Sequence, residues 1–577
     1  MSARELITEH LELWTGAVTK KASSGRGSNG KVELTGVKKL RELILELAVR
    51  GKLVTQDKDD EPVSLLLKKI ESEKSAQLKA KAIRNPKKLP EIQEIEQPFP
   101  IPVSWRYCRL NELGVWGSGA TPKRGNSQYY GGGIPWFKSG ELYKDFIDSS
   151  EETITELAVQ ETSVRMNQPG DVLIAMYGAT IGKASILEVS GTTNQAVCAC
   201  TPWPGISNRF LLLLLKAYRS RFIAMGAGGA QPNISREKII ATVVGLPPEQ
   251  EQHRIVQKVD ELMALCDRLE QQTSDQLEAH ETLVDTLLGT LTQSENATEL
   301  ADNWARLAAH FDTLFTTEQS IDKLKQTILQ LAVMGRLVEH DVGDESAEQL
   351  IERIAAQKAE TGNGKRRTSK PPKSGTAESQ PFQIPSTWAW VPLRQTGLTS
   401  TGKTPSTKNA SFFSGDIPFI GPGQVTAAGK INTPEKHLSE EGILQSEEAL
   451  PGDILTVCIG GSIGKTAIVT ERCGFNQQLN KIRPVLVEPS YLLAAINADF
   501  FQHSIREKAT GSATPIINRS KWESISIPLA PLDEQHRIVQ KVDELMSLCD
   551  QLKKRLNQAS ETRCQLAAAI VEQGLSA

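Results

Sequence analysis

Apolar residues recur at steps of three and four along two proline-free stretches, Glu249 to about Leu291 and Leu532 to about Glu572. Ile255, Val259, Leu262, Cys266 and Leu269 fall on one stripe, and Ile538, Val542, Leu545, Cys549 and Leu552 on another. This spacing predicts two long helices, each with a coiled-coil seam. Forty residues of helix extend about 60 Å at about 1.5 Å per residue. Shorter amphipathic segments, Val37 to Leu53 and Ile321 to Leu337, carry glycine stop signals at Gly51 and Gly335 and are expected to join the same bundle. Between the helical regions lie two blocks, Pro98 to Pro248 and Pro381 to Pro531, where the period changes. Alternations such as "DVLIAMYG" and "DILTVCIG", punctuated by Gly and Pro, predict strands and turns. One helix is expected in each block, "SNRFLLLLLKAYRSRF" and "SYLLAAINADFFQHSI", so the blocks read as α+β.

The pattern occurs twice. "EQHRIVQKVDELM" is identical at Glu251–Met263 and Glu534–Met546, and most other look-alike segments stand about 283 residues apart. "LRELILELAVRGKLV" answers "LKQTILQLAVMGRLV", "PFPIPVSW" answers "PFQIPSTW", and "GATPK" answers "GKTPS". "PGDVLIAMYGATIGKASIL" answers "PGDILTVCIGGSIGKTAIV", and Asn194-Gln195 answers Asn476-Gln477. An internal repeat of this kind decides the architecture. The helical flanks are nearly identical, whereas the blocks share only turns and a hydrophobic skeleton. The expected fold is α+β: an internal twofold repeat of two α+β domains joined and spaced by long antiparallel coiled-coil helices. The expected segments are 1–97, helical region and linker; 98–248, first block; 249–380, long helix, short helix and linker; 381–531, second block; and 532–577, the last helix. Basic, polar linkers are read from Ser75 ("SAQLKAKAIRNPKKLPEIQ") and Ala359 ("AETGNGKRRTSKPPKSG"), either as solvated tethers or as chain that touches phosphates.

The chain has 577 residues and a formal net charge of -3, so any nucleic-acid footprint must be local. Eight cysteines are scattered, Cys198 and Cys200 forming the one close pair, with no CxxC spacing for zinc or redox chemistry. A reduced, soluble, cytoplasmic protein without a membrane span is expected, since the run Phe210–Leu215 is too short to cross a bilayer.

"GGSIGKT" at Gly460 imitates a phosphate loop, but the first glycine of G-x-x-x-x-G-K-[ST] falls on Ile459, and the first copy has Ala184 after its lysine. A glycine turn between strands, with Lys183 and Lys465 at its tip, is expected instead. "GAGGA" at Gly226 follows a helical stretch rather than a strand, and no N/D-P-P-[YF] tetrapeptide is present to hold a flipped amino group. His253 and His536, at helix starts, are read as solvent-facing or capping. No catalytic residue and no metal ligand is expected.

Two divergent modules on matched helices, with "LPPEQEQHRIVQKVDEL" after the first block and its near-copy after the second, "LAVRGKLV" and "LAVMGRLV" before them, and "GxTP" and "IGK" turns within, resemble the specificity (HsdS) subunit of type I restriction-modification enzymes. The resemblance covers nearly the whole chain; the segment with "ITEHLELW" resembles the type IB-like branch. It implies that each block is a target recognition domain reading half of a split, asymmetric DNA site. The implied partners are double-stranded DNA, two methyltransferase subunits and the restriction-translocase subunits, with no membrane. It further implies that this chain binds no cofactor. S-adenosylmethionine, ATP and Mg2+ belong to the partners, which perform adenine N6 methylation and ATP-dependent cleavage.

Base readout favours Arg or Lys to guanine and Asn or Gln to adenine. The candidate DNA contacts are Lys123, Arg124, Tyr129, Lys138, Lys183, Gln231 and Asn233 in the first block, with Lys403, Lys408, Asn409, Gln424, Lys465, Asn518 and Arg519 as counterparts in the second. A plain surface or turn role stands beside each. Tyr130, Trp136, Phe413 and Phe419 are read as core aromatics. Arg254, Lys258, Arg537 and Lys541, taken as exposed helix positions, are the candidate docking points for partner subunits. Two rival readings are a bivalent protein-binding scaffold that ignores DNA and an orphan DNA-binding regulator of the same fold.

Overall fold

The computed structural model describes residues 8–20, 32–83, 89–226, 232–295, 297–360, 380–426, 429–511 and 514–576. The chain forms two compact units. One takes the described residues as far as Asp275 together with those from Ser560 onward; the other takes those of Gln276–Ala559. The units therefore cut across the consecutive segments expected from sequence, because each contains part of both long helices.

Both long helices form without interruption, Glu249–Gln293 and Leu532–Ser576. The seams are buried as the spacing requires: Ile255, Val259, Leu262 and Cys266 in the first unit, Ile538, Val542 and Cys549 in the second. Each buried aliphatic contributes about 1.5–3 kcal/mol, so the stripe outweighs intrinsic helix propensity. In the first unit the helix Thr35–Val49 runs antiparallel to the first long helix: Arg41 bonds Asp267 at 2.7 Å while Gln56 bonds Glu251 at 2.8 Å. The end of the last helix runs parallel to Thr35–Val49, with Ser560 Oγ on the Val18 carbonyl at 2.9 Å and Arg50 on that of Leu575 at 3.3 Å. The second unit repeats this about the helix Glu318–Val333: Lys553 bonds Asp322 at 2.8 Å, Lys323 bonds Asp285 at 2.7 Å, and Arg336 bonds the Ser294 carbonyl at 2.7 Å. Within each unit, the two long-helix segments run antiparallel.

Each block begins and ends in one two-stranded antiparallel ribbon, Arg106–Arg109 with Val243–Leu246 and Ala389–Pro392 with Ser526–Leu529. Closed at its neck, a block can change its contents without moving the helices. The main sheet of the first block runs in the order Gly114–Ser118, Val197–Pro202, Val172–Ala175, Ala184–Leu187, Phe146–Ile147. The second has Gly397–Thr401, Leu479–Pro484, Ile454–Val457, Thr466–Ile468. Block and frame share one core in each unit; Val172, Ile174 and Phe210 cluster with Leu43, Leu47 and Ile255.

Two expectations change. The one helix expected in each block is broken into two, Asn208–Ala217 and Arg219–Gly226, then Pro489–Asn497 and Asp499–Lys508. The breaks fall at Tyr218 and Ala498, and Ala498 is extended. Further helices, Val63–Lys79 and Ala347–Glu360 among them, occupy stretches not read as helical, so the first linker's Ser75–Lys79 is helix. Their buried stripes are narrow, Val63, Leu66 and Ile70 against Ala347, Leu350 and Ile354, and charged residues between them mask the period. Most of the second linker, residues 361–379, lies outside the described residues. No described helix is long and apolar enough to cross a membrane.

Candidate nucleic-acid interface

Antiparallel pairing brings three loops of each block to one end of its main sheet. In the first block Ser118 lies opposite Cys198, Ala175 opposite Val197 and Ile174 opposite Ala184. The chain leaving Ser118, leaving Ala175 and arriving at Val197 therefore emerges together. In the second block Thr401 faces Asn480, Val457 faces Leu479 and Thr456 faces Thr466, with the same result.

The motifs shared by the two copies tie these loops to one another. Thr121 of "GATPK" donates its hydroxyl to Oε1 of Gln195, and Thr404 of "GKTPS" to Oε1 of Gln477 at 2.6 Å. A Cβ on Gly119 would stand 2.3 Å from the Asn194 carbonyl oxygen, and one on Gly402 2.1 Å from that of Asn476, so only glycine permits this approach. A further segment is stitched alongside: Gly178 N–H donates to the Pro232 carbonyl at 2.8 Å and Ile234 N–H to that of Met176 at 2.9 Å. Its twin has Gly460 N–H on Pro515 at 2.9 Å and Ile517 N–H on Cys458 at 3.0 Å. The loop that imitates a phosphate site runs from Val172–Ala175 into the strand Ala184–Leu187, not into the helix a P-loop requires. No cluster of His, Cys, Asp or Glu suited to a metal occurs among the described residues.

Two rigid loop frames of one design, carrying different side chains, match a known domain. The family model for the type I restriction modification DNA specificity domain fits residues 102–279 and again 385–561. The chain belongs to this family. Curated relatives include the Escherichia coli EcoAI specificity subunit, 36% identical, and the E. coli EcoEI specificity subunit, 33% identical, each matched over 100% of both chains. Among solved structures, the HsdS subunit from Thermoanaerobacter tengcongensis is similar over 83% of this chain and 98% of that one, at 19% identity and a TM-score of 0.42.

In this specificity protein the candidate cations divide into free and engaged. Lys123, Lys183, Lys403, Lys408 and Lys465 form no ion pair among the described residues. Lys183 and Lys465 stand where the loop rejoins the sheet, not at its tip: their carbonyls accept from Ala175 and Val457 at 2.8 Å. Arg124 and Lys138 converge on Glu152, each at 2.6 Å. Hydrogen bonds from these two cations hold the Glu152 carboxyl below the usual carboxylate range, and the bond to Glu152 raises both cations. Arg124 also lies 5.0 Å from the ring centres of Tyr130 and of Trp136. Trp136 and Phe419 are buried; Tyr130 and Phe413 are half-buried and meet them edge-on at 6.1 Å.

Several polar candidates spend their acceptors on the backbone. Asn409 accepts from Ser411 N–H at 3.2 Å, as Asn126 does from Gln128; Gln424 accepts from Gly421 N–H at 3.0 Å and Asn518 from Lys521 N–H at 2.9 Å. Tyr129 donates to Glu161 at 3.0 Å, and Arg519 lies 3.7 Å from Glu523. Gln231 falls outside the described residues. Asn233 is exposed and pairs with Tyr177 across a β-bridge, and the bridge in its place in the second block joins Ile459 to Ile516. The counterpart of Asn233 is thus Ile516, and Asn518 caps a short helix as Ser235 does in the first block. Sequence reading also missed Glu152. Trp136 N–H bonds its carbonyl at 3.0 Å, and Phe419 N–H bonds that of Lys436 at 2.9 Å, so one framework position is acidic in one block and basic in the other.

The docking candidates also change. Arg254 makes two bonds to Asp60, at 2.8 and 2.6 Å, and Arg537 two to Asp344, at 3.3 and 2.6 Å. They are partly exposed and bound within their own unit, because the loop after each short helix presents a nearly buried aspartate to the start of the long helix. Lys258 and Lys541 pair only with Glu261 and Glu544 one turn on, at 2.9 Å.

Proposed function

We propose that this chain chooses the DNA sequence for a type I restriction-modification complex, one half of a split, asymmetric site being read by each block. One observation carries the reading: two loop frames built from identical hydrogen bonds, Thr121 to Gln195 and Thr404 to Gln477, present different side chains at the same end of equivalent sheets. Equivalent frames place two readers alike, and unlike side chains make the site non-palindromic. The unpaired lysines suit phosphate contact, which positions without specifying. The helical frame would bind two methyltransferase subunits carrying S-adenosylmethionine and adenine N6 chemistry. Restriction-translocase subunits using ATP and Mg2+ would complete the nuclease. The test is single-molecule sequencing of adenine methylation in the host genome. A split motif that disappears when the gene is deleted supports the reading; an unchanged methylation pattern overturns it.

A further inference from the structure

The two blocks differ from polar to apolar at one equivalent place. The loop that leaves the central strand of each main sheet is bridged to a second segment, by Tyr177 and Asn233 in the first block and by Ile459 and Ile516 in the second. Both bridges stand at the sheet end that gathers the shared motifs. Tyr177 is 43% and Ile516 42% exposed, so each tip displays a large side chain to solvent. A Cβ at Gly178, Gly460 or Gly461 beside them would meet nothing within 4 Å, so the glycines flanking the tips face open space among the described residues. Ile516 is held firmly: its N–H donates to the Thr510 carbonyl and its carbonyl accepts from Thr510 N–H, both at 2.9 Å. Its neighbour Ile517 is buried in the core, whereas neither Ile459 nor Ile516 belongs to a core cluster.

A fixed pair of isoleucines, Ile516 exposed and Ile459 half-buried, gains about 0.8 kcal/mol for each further methyl-sized contact it buries. In duplex DNA the apolar feature of the major groove is the thymine C5-methyl, whereas adenine offers N6 and N7 to an amide such as that of Asn233. We propose that these bridged pairs are the base-reading tips, polar in the first block and apolar in the second, with Ile459 and Ile516 seated on a thymine methyl. The inference rests on the DNA-reading function proposed above.

The test assembles the full chain with its methyltransferase subunit and selects bound duplexes from a random-sequence pool, once with thymine and once with uracil throughout. The wild-type complex should enrich a split motif from the thymine pool. From the uracil pool it should lose preference in one half-site alone, by about three- to fivefold for each methyl contacted. The double variant Ile459→Tyr with Ile516→Asn should change that same half-site and spare the other, and Tyr177→Ile with Asn233→Ile should do the converse. Identical motifs from both pools, or variants that keep both wild-type half-sites, would overturn the inference. The uracil comparison uses wild-type protein, so misfolding of a variant does not remove the test. Failure of the wild type to enrich any motif would overturn the proposed function instead.

Discussion

The indole Nε1 of Trp105 donates to Oε1 of Glu251 at 2.9 Å, in a site where both side chains are buried. Trp388 and Glu534 repeat the bond at 2.9 Å. Beside them, Gln252 Oε1 accepts from Ser207 N–H and Gln535 Oε1 from Glu488 N–H, both at 2.9 Å. The first two letters of the duplicated segment thus clamp the neck of each block to its long helix. That explains their identity between copies without a partner. Glu251→Ala would leave a buried N–H without an acceptor, at a cost of about 1–3 kcal/mol. Urea unfolding of the chain should show that loss, and Trp105→Phe should also destabilise, since the buried Glu251 carboxyl then loses the indole donor and keeps the bond from Gln56.

Burial pushes the Glu251 carboxyl above the ordinary carboxylate range, against the hydrogen bonds from Trp105 and Gln56. A carboxyl raised in the folded state stabilises most below its unfolded value of about 4.3, and that contribution is lost as pH rises through the raised value. Glutamine does not titrate. The melting temperature of Glu251→Gln relative to wild type should therefore climb as pH rises above about 4.3. A relative fall on the same rise in pH would mean that attraction to Arg254 outweighs burial.

Arg254 and Lys258 lie one turn apart and should behave differently. Removing Arg254 strands Asp60, whose side chain is 6% exposed, and the cost should be about 1–2 kcal/mol, below that of a fully buried pair because the guanidinium is partly solvated. Arg254→Ala should thus lower thermal stability. Lys258→Glu, paired with Lys541→Glu, should leave stability unchanged within about 0.5 kcal/mol and weaken association with the methyltransferase subunit. Calorimetry and analytical gel filtration separate the two effects. Loss of assembly in Arg254→Ala at full stability would restore Arg254 as a docking residue.

The helices and the repeat were legible because a 3.6-residue period survives in one sequence and a second copy corroborates it. Gly51 and Gly335 were legible as stops for the same reason: both adopt φ +69, and a Cβ on either would lie 2.5 Å from the Pro102 or Pro385 ring. The interface was legible as a set of loops but not as a set of contacts. Whether Arg124 is free depends on Glu152, 28 positions away, and no periodicity reports that distance. Asn233 and Ile516 stand 283 residues apart, at the repeat offset and at one β-bridge register, but their unlike side chains kept Ile516 out of a set chosen by hydrogen-bonding residue type.

Glu152 gives the strongest test of the electrostatic side of recognition. Its carboxylate pairs with both Arg124 and Lys138, which also lies 3.6 Å from Glu151, at the loop end of the first block, and Lys436 occupies the equivalent place in the second. Phosphate binding by either cation must displace this carboxylate, so the first block pays an electrostatic cost that the second does not. Glu152→Gln should remove that cost and raise duplex affinity several-fold at low salt. If both released cations reach phosphates, the slope of log affinity against log salt should steepen by up to about two units, at about 0.9 per contact. Titrating a target duplex with the assembled methyltransferase complex at several salt concentrations measures both quantities. An unchanged slope with unchanged affinity would show that Arg124 and Lys138 act only within the fold, with Arg124 bracing Tyr130 and Trp136 rather than meeting DNA.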